Sequence, residues 1–412
     1  MSVLRQQAED CKRASRRLAW LAGGEKDRIL LSLAAQLRDR QSELMEANRL
    51  DCEAGAGAGL STALLDRLRL SPERIQAMAA GAEQVSRLTD PVGREIAWTR
   101  PNGLLIRKVR VPLGVLCVVY EARPNVTVES ACLAIKSGNG ALLRGSRSAL
   151  NSNQVLVKII QECLVEAGLP AAAIAGVADL SHESITTLAR MNGLVDLMIP
   201  RGGADLIKRV VETSTVPVLE TGVGICHLYV HPSADLAGAV PVIINSKCSR
   251  PAVCNSLETL LLDAAVAAEM ARLLEPELRG KVRVQACPRT RELWPWAEAA
   301  TSENWDTESM DMILNVRVVS GLDEALEHIA CHGSGHTECI LTRDLDSARR
   351  FQREVDACTV NVNASTRFTD GGEFGFGAEI GISTQKMHAR GPVGLDELTT
   401  YKYWVEGQGQ IR

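Results

Sequence analysis

The chain has 412 residues, 46% hydrophobic and 23% charged, which is enough apolar surface for two or three domains with proper cores and too much for a disordered chain. A net charge of −4, a pI near 6.1 and only 3% aromatic residues leave neither a basic footprint nor stacking platforms for nucleic acid. The charged start MSVLRQQAEDCKRASRR and the lack of any apolar run of about 18 residues argue against a secretory leader and a membrane span. The expectation is a cytoplasmic protein that acts on a small metabolite.

Residues 4–50 read as two amphipathic helices, with Leu4, Ala8, Cys11, Leu18 and Leu21, then Ile29, Leu30, Leu33, Leu37 and Leu44, near helical spacing. The segment GAGAGL at 55–60 breaks that pattern. Over 94–111 the text predicts a hairpin: Pro101, Asn102 and Gly103 form the turn, and Val109 and Val111 alternate with Lys108 and Arg110. Such a ribbon has too little apolar surface to stand alone.

A regular alternation follows. Short apolar runs at 115–120, 141–144, 173–178, 195–199 and 216–219 are separated by helical segments. The clearest helix follows Asn153, carries Val155, Ile159, Ile160 and Cys163, and stops at Gly168 with Pro170 behind it. Continuous apolar strands alternating with helices predict a parallel sheet covered on both faces, a doubly wound nucleotide-type domain. A second α/β unit is expected from about Ile225, with strands ICHLYV and LETLLL and a helix over 264–274. Its later part holds the loop DGGEFGFGAEIG at 370–381.

Neither GxxxxGK[ST] nor a full GxGxxG occurs, which disfavours a P-loop kinase and requires any dinucleotide to bind without the usual glycine fingerprint. His332 and His336 in HGSGHTE have the i, i+4 spacing of a helical metal pair. Gly333 and Gly335 oppose a helix there, however, and the glutamate of an HExxH motif is missing, so the segment reads as a loop or a substrate contact and no metal is expected. The twelve cysteines form no CxxC pair and no small-scaffold spacing, which predicts reduced thiols. Most will be small buried hydrophobes. Cys254 stands apart in SKCSRPAVCNSLETLLL, after Pro251 and before an apolar strand, with Lys247 and Arg250 close by to favour a thiolate.

The blocks YEARPNVTVES, AIKSGNGALLRG, VDLMIPRGG, VPVLETGVGICHLYV, RPAVCNSLETLLL, HGSGHTE and NASTRFTDGGEFGFGAEIGISTQKMHARGPVGLDELTTYK resemble the gamma-glutamyl phosphate reductase family, across essentially the whole chain. That family is similar to the aldehyde dehydrogenase superfamily. The resemblance implies an α/β fold with a doubly wound NADPH-binding domain (1–93 and 113–222), an α/β catalytic domain (223–390) and a β-ribbon for oligomerisation (94–112 and 391–412).

Carried over by position, the resemblance makes Cys254 the nucleophile, Glu220 in VLETG the general base, and Asn125 in RPNVT the oxyanion amide. The superfamily's cofactor segment falls on Arg144, Gly145, Ser146 and Arg147. Arg147 stands where a glutamate would suit the 2′-hydroxyl of NAD, and should instead attract the 2′-phosphate of NADP. Gly202 and Gly203 fall where a helix N-terminus meets the pyrophosphate, and Asp311 where the ribose is held. For the substrate, Arg250 and Arg367 can each take a carboxylate or a phosphate, and Ser365 and Thr366 can add hydroxyl contacts.

The implied reaction is NADPH-dependent reduction of L-glutamyl 5-phosphate to L-glutamate 5-semialdehyde through a Cys254 thioester, the second step of proline biosynthesis. It consumes no water, so Glu220 is either structural or a handler of the cysteine proton. The implied partners are a glutamate 5-kinase that hands over the unstable acyl phosphate and further copies of the chain. Two alternatives remain at this point: an ordinary NAD-dependent aldehyde dehydrogenase, which would need Glu220 as base, and a non-catalytic scaffold of the same fold.

Overall fold

The computed structural model describes residues 3–412, so the first two residues of the expected first segment lie outside it. The chain divides into two compact units: 1–221 with 375–381 and 393–412, and 222–374 with 382–392. The glycine-rich stretch 370–381 is therefore shared between them.

The first unit opens with helices α1 (Val3–Leu18), α2 (Gly23–Asp39) and α3 (Gln41–Gly57) where two were expected, because the apolar repeat is interrupted a second time at Arg40. The glycines of GAGAGL do not stop α3 at 55. It runs on to Gly57, and the turn comes where Gly59 takes φ +78°. Helices α4 (Thr62–Leu68) and α5 (Pro72–Ser86) follow, each entered through a serine that accepts a first-turn backbone N–H.

Strands β1 (Glu95–Thr99) and β2 (Leu105–Pro112) form the expected antiparallel ribbon, and the C-terminal strand Thr399–Glu406 adds to the other edge of β2. Its surface is unusually apolar for an exposed sheet, with Ile96, Trp98, Tyr401, Tyr403, Trp404 and Val405 all exposed.

The unit's core sheet is built from β3 (Val115–Tyr120), β4 (Gly140–Arg144), β5 (Ile174–Gly176) and β6 (Leu197–Arg201), all parallel, in the order β5-β4-β3-β6. Helices α6 (Pro124–Lys136), α7 (Leu150–Glu166), α8 (His182–Leu188) and α9 (Ala204–Thr213) make the connections. Every residue of β3 and β4 is buried, which is why they read as unbroken apolar runs. The chain moves outward from β3 to β5 and then returns to place β6 on the far side of β3, so the order reverses at the carboxyl ends of β3 and β6, where open α/β sheets bind ligands. The strand expected over 216–219 is a single bridge, Met198 to Val218, because Pro217 has no N–H to give a longer ladder.

The second unit is a seven-stranded parallel sheet. Its strands are β7 (Cys226–Val230), β8 (Leu257–Asp263), β9 (Arg283–Ala286), β10 (Glu298–Ala299), β11 (Ile313–Val319), β12 (Thr337–Leu341) and β13 (Thr359–Val362), in the order β10-β9-β11-β8-β7-β12-β13. Helices α10 (Leu236–Cys248), α11 (Ala267–Leu278), α12 (Pro288–Leu293), α13 (Leu322–His332) and α14 (Leu345–Glu354) cross over between them. Leu228, Leu260, Leu262, Met270, Leu274 and Val316 centre the core on one face, and Tyr229, Leu261, Ile340 and Phe351 do so on the other. Among the described residues no helix is long and apolar enough to cross a membrane.

Candidate active site

In the second unit a loop leaves α10 after Cys248, carries Cys254, and enters β8 at Leu257. It crosses the amino ends of the strands. Cys226 opens β7 beside it, and the Cys226 thiol donates to the Cys254 carbonyl oxygen at 3.2 Å. Burial pushes the Cys226 thiol well above its usual range, so it stays a protonated donor. A Cβ on Gly224 would stand 1.7 Å from the Cys254 carbonyl oxygen and 2.7 Å from its Cα, so glycine alone lets the two segments meet. Cys254 itself is half-buried, and all twelve cysteines are reduced thiols.

Of the two cations the sequence places near the thiol, Lys247 is engaged elsewhere. Lys247 is fully buried and paired with buried Glu258 at 3.2 Å, so its charge is largely cancelled there. Arg367, half-buried in the turn Thr366–Phe368, interacts electrostatically with Arg250, Asp370 and Cys254. Burial first, and then repulsion from Arg250, hold the Arg367 guanidinium below the usual arginine range. Two like charges kept together beside a sulfur favour a thiolate and an incoming anion.

Ser365 and Thr366, the candidate substrate hydroxyls, are both buried. The Ser365 hydroxyl shares a proton with Ser246 at 3.0 Å and accepts the Arg367 N–H at 3.2 Å, and the Thr366 N–H donates to Ser246 at 3.2 Å. In this geometry they anchor the arginine. Asp311 lies exposed in a bend before β11, which begins at Ile313, and its carboxylate accepts the neighbouring Met312 N–H at 2.7 Å. Glu308 carried no sequence signal, yet its half-buried carboxylate accepts the Gly224 N–H, and burial raises its pKa.

The first unit places its candidates at the carboxyl ends of its strands. Arg144 closes β4, and its buried guanidinium donates to the carbonyls of Leu180 and Ser181 at 3.0 and 2.9 Å. It therefore braces the loop after β5, and its Nε has no partner. A cavity of about 450 Å³ opens there, lined by Arg144, Ser146, Arg147 and Ser148 on one side and by Leu180, Ser181, His182 and Glu183 on the other. Exposed Arg147 and the serine hydroxyls suit a phosphate-bearing ribose. Ser148 and His182 were invisible in the sequence, since nothing in SRS or LSHES marks a wall shared by two strand ends.

Gly203 caps α9, and its N–H donates to the Glu121 carboxylate at 3.1 Å. Gly202 precedes it at the end of β6. Asn125 begins the first turn of α6 and gives its amide to Glu129 at 2.9 Å, and Glu220 is half-buried in the coil after Leu219.

The aldehyde dehydrogenase family model matches residues 4–290, and that is the class which two parallel-sheet units and a cysteine-bearing loop define. At 52% identity over 98% of both chains the sequence matches the gamma-glutamyl phosphate reductase of Carboxydothermus hydrogenoformans, and at 52% identity over 97% of this chain and 96% of the relative that of Moorella thermoacetica. The crystal structure of gamma-glutamyl phosphate reductase from Thermotoga maritima superposes with a TM-score of 0.98 at 47% identity, covering both chains fully. The chain belongs to the aldehyde dehydrogenase family and, within it, to the gamma-glutamyl phosphate reductases.

Proposed function

We propose that this enzyme reduces L-glutamyl 5-phosphate to L-glutamate 5-semialdehyde and phosphate through a thioester on Cys254, the second step of proline biosynthesis from glutamate. The observation that carries the reading is the half-buried Arg367, whose guanidinium interacts electrostatically with Cys254 and with Arg250. An acyl phosphate brings an anionic leaving group to the carbon that the sulfur must attack, and a paired-guanidinium site meets that requirement where a neutral aldehyde pocket would not.

Cys254 forms the carbon–sulfur bond as the carbon–oxygen bond to phosphate breaks, and the phosphate departs against the arginines. A nicotinamide cofactor, when bound, supplies the hydride that converts the thioester carbon to the aldehyde oxidation level. The Cys254 backbone N–H and the Asn125 amide are the candidate donors to the developing oxyanion, each donor of this kind being worth roughly 3 kcal/mol. Collapse of the tetrahedral adduct then returns the thiolate. No water enters, so Glu220 has no nucleophile to activate.

The cavity at Arg147, Ser146 and Ser148 supports NADPH over NADH, with Arg144 in its wall; Gly202 and Gly203 are the backbone candidates for the pyrophosphate, Gly203 once Glu121 releases its N–H. Asp311 is the candidate for the second ribose. The exposed aromatic face of the ribbon supports a homo-oligomer built through it. The tendency of the acyl phosphate to cyclise supports handover from a glutamate 5-kinase, and reduced cysteines fit a cytoplasmic setting.

The test is NADPH oxidation with L-glutamyl 5-phosphate generated in place. The wild-type chain should turn over and Cys254→Ala should not. A Cys254→Ala variant that retained activity would sink the thioester.

A further inference from the structure

The second histidine of HGSGHTE, His336, lies in the protein interior. His336 is fully buried just before β12, and burial holds its pKa near 4, so the ring is neutral. Its Nδ1 lies 2.8 Å from the hydroxyl of buried Thr337. That hydroxyl donates to the Thr369 hydroxyl at 2.9 Å, and having only one proton, it must accept from the imidazole. The ring hydrogen is thereby fixed on Nδ1. The Thr369 carbonyl in turn accepts the side-chain amide of Asn255 at 2.9 Å, and the Arg367 carbonyl accepts the same amide at 3.4 Å.

Asn255 is the residue after the candidate nucleophile and is buried. On the opposite side of the nucleophile Cys226 donates to the Cys254 carbonyl, and its sulfur lies 3.8 Å from His336. A buried set of hydrogen bonds thus meets at Thr369, whose hydroxyl accepts from Thr337, itself bonded to His336, and whose carbonyl accepts from Asn255. It fastens the turn that bears Arg367 to the loop that bears Cys254.

We infer that Thr337 and Asn255 are positioning residues for phosphate recognition: the set of hydrogen bonds they complete sets how far the Arg367 guanidinium stands from the sulfur. The inference rests on the acyl phosphate reading above and adds to it the groups that fix the anion site. Neither side chain touches the substrate. Thr337 acts through Thr369, and Asn255 acts through the two carbonyls that flank Phe368.

The experiment uses the full chain in the reverse direction, with glutamate 5-semialdehyde, NADP+ and inorganic phosphate, and compares the wild type with Thr337→Val and Thr337→Ser. Valine keeps the shape and removes the hydroxyl, leaving the imidazole N–H unpaired. Serine keeps the hydroxyl. For Thr337→Val we expect KM for phosphate to rise roughly tenfold, as the loss of one buried hydrogen bond would produce, with kcat changed by less than about threefold. Phosphate should protect Cys254 from iodoacetamide correspondingly less well, while NADPH affinity measured by fluorescence stays as in the wild type. Thr337→Ser should restore the phosphate KM. Thr369→Val cuts the same hydrogen bond from its acceptor side and should reproduce the effect if Thr337→Val does not fold.

A phosphate-dependent wild type whose valine variants keep its phosphate KM overturns this inference alone. So does a valine variant that loses kcat with phosphate KM unchanged. A wild type that neither requires phosphate nor is protected by it overturns the reductase reading and this inference with it.

Discussion

The two units place their candidate groups at opposite edges of their sheets. In the first, Arg144, Ser146, Arg147, Asn125, Gly202 and Gly203 all lie at or beyond the carboxyl ends of strands, each one to five residues past a buried apolar run. In the second, Cys254 sits at the amino edge, before β8, beside the first residue of β7 and near the first residue of β12. A carboxyl-edge site comes with the topology, because reversal of strand order opens a crevice there. An amino-edge site has no such crevice and is assembled by loops from distant parts of the chain: 222–226, 249–256, 334–337 and 363–370. The first kind can be altered one residue at a time. The second fails as a unit.

The harshest break of that contrast is Gly224→Ala. The added carbon would overlap the Cys254 carbonyl, so the strand entry or the nucleophile loop must shift by an ångström or more, a displacement of the size that costs roughly a hundredfold in rate. We expect kcat/KM for acyl phosphate reduction to fall by at least that factor in protein whose NADPH affinity, proposed to rest mainly on the Arg147 cavity, is retained. Normal turnover by Gly224→Ala would show that the loop is not held as described.

The same contrast explains what could be read from the sequence. The apolar runs of β3, β4, β7 and β8 announce a parallel sheet because both faces of each strand are covered. Cys254 and Arg367 could be singled out because their residue types bear chemistry. Their supports could not. Asn255, Thr337 and Thr369 are ordinary polar residues whose significance is a set of hydrogen bonds across more than a hundred positions for Asn255 and about thirty for Thr337. Lys247 misleads for the complementary reason: a lysine four residues before Pro251 looks available, and only the fold reveals Glu258 beside it. The burial of Ser365 and Thr366 likewise shows only in the fold.

A milder intervention tests the carboxyl-edge side. Arg147→Glu restores the acid that suits a ribose 2′-hydroxyl and removes an exposed cation from the cavity wall. NADPH affinity should drop by roughly tenfold to a hundredfold, the scale of a lost charge-assisted hydrogen bond, while NADH affinity holds or improves. Titration of both dinucleotides by fluorescence reads the ratio directly. Because Arg147 belongs to the first unit and Cys254 to the second, alkylation of that thiol by iodoacetamide should proceed at the wild-type rate. An unchanged preference in Arg147→Glu would place 2′-phosphate recognition elsewhere.

The smallest effect is expected at Glu220, the residue that relatives with a hydrolytic reaction would need most. A general base contributes roughly a hundredfold to ten-thousandfold where it must draw a proton from a nucleophile in the transition state. Here phosphate leaves without acid assistance, hydride rather than water attacks the thioester, and the thiolate is favoured by the Arg367 and Arg250 pair in its own unit. Glu220 follows Leu219, whose N–H donates to the Met198 carbonyl at 2.8 Å, so its backbone is set by the first unit's sheet irrespective of its carboxylate. Glu220→Ala should therefore keep kcat/KM for L-glutamyl 5-phosphate within about tenfold of wild type, well short of a missing base. A fall of three orders of magnitude in folded protein would instead make the carboxylate part of the chemistry, and the division of labour drawn here, binding at the carboxyl edge and reaction at the amino edge, would no longer hold.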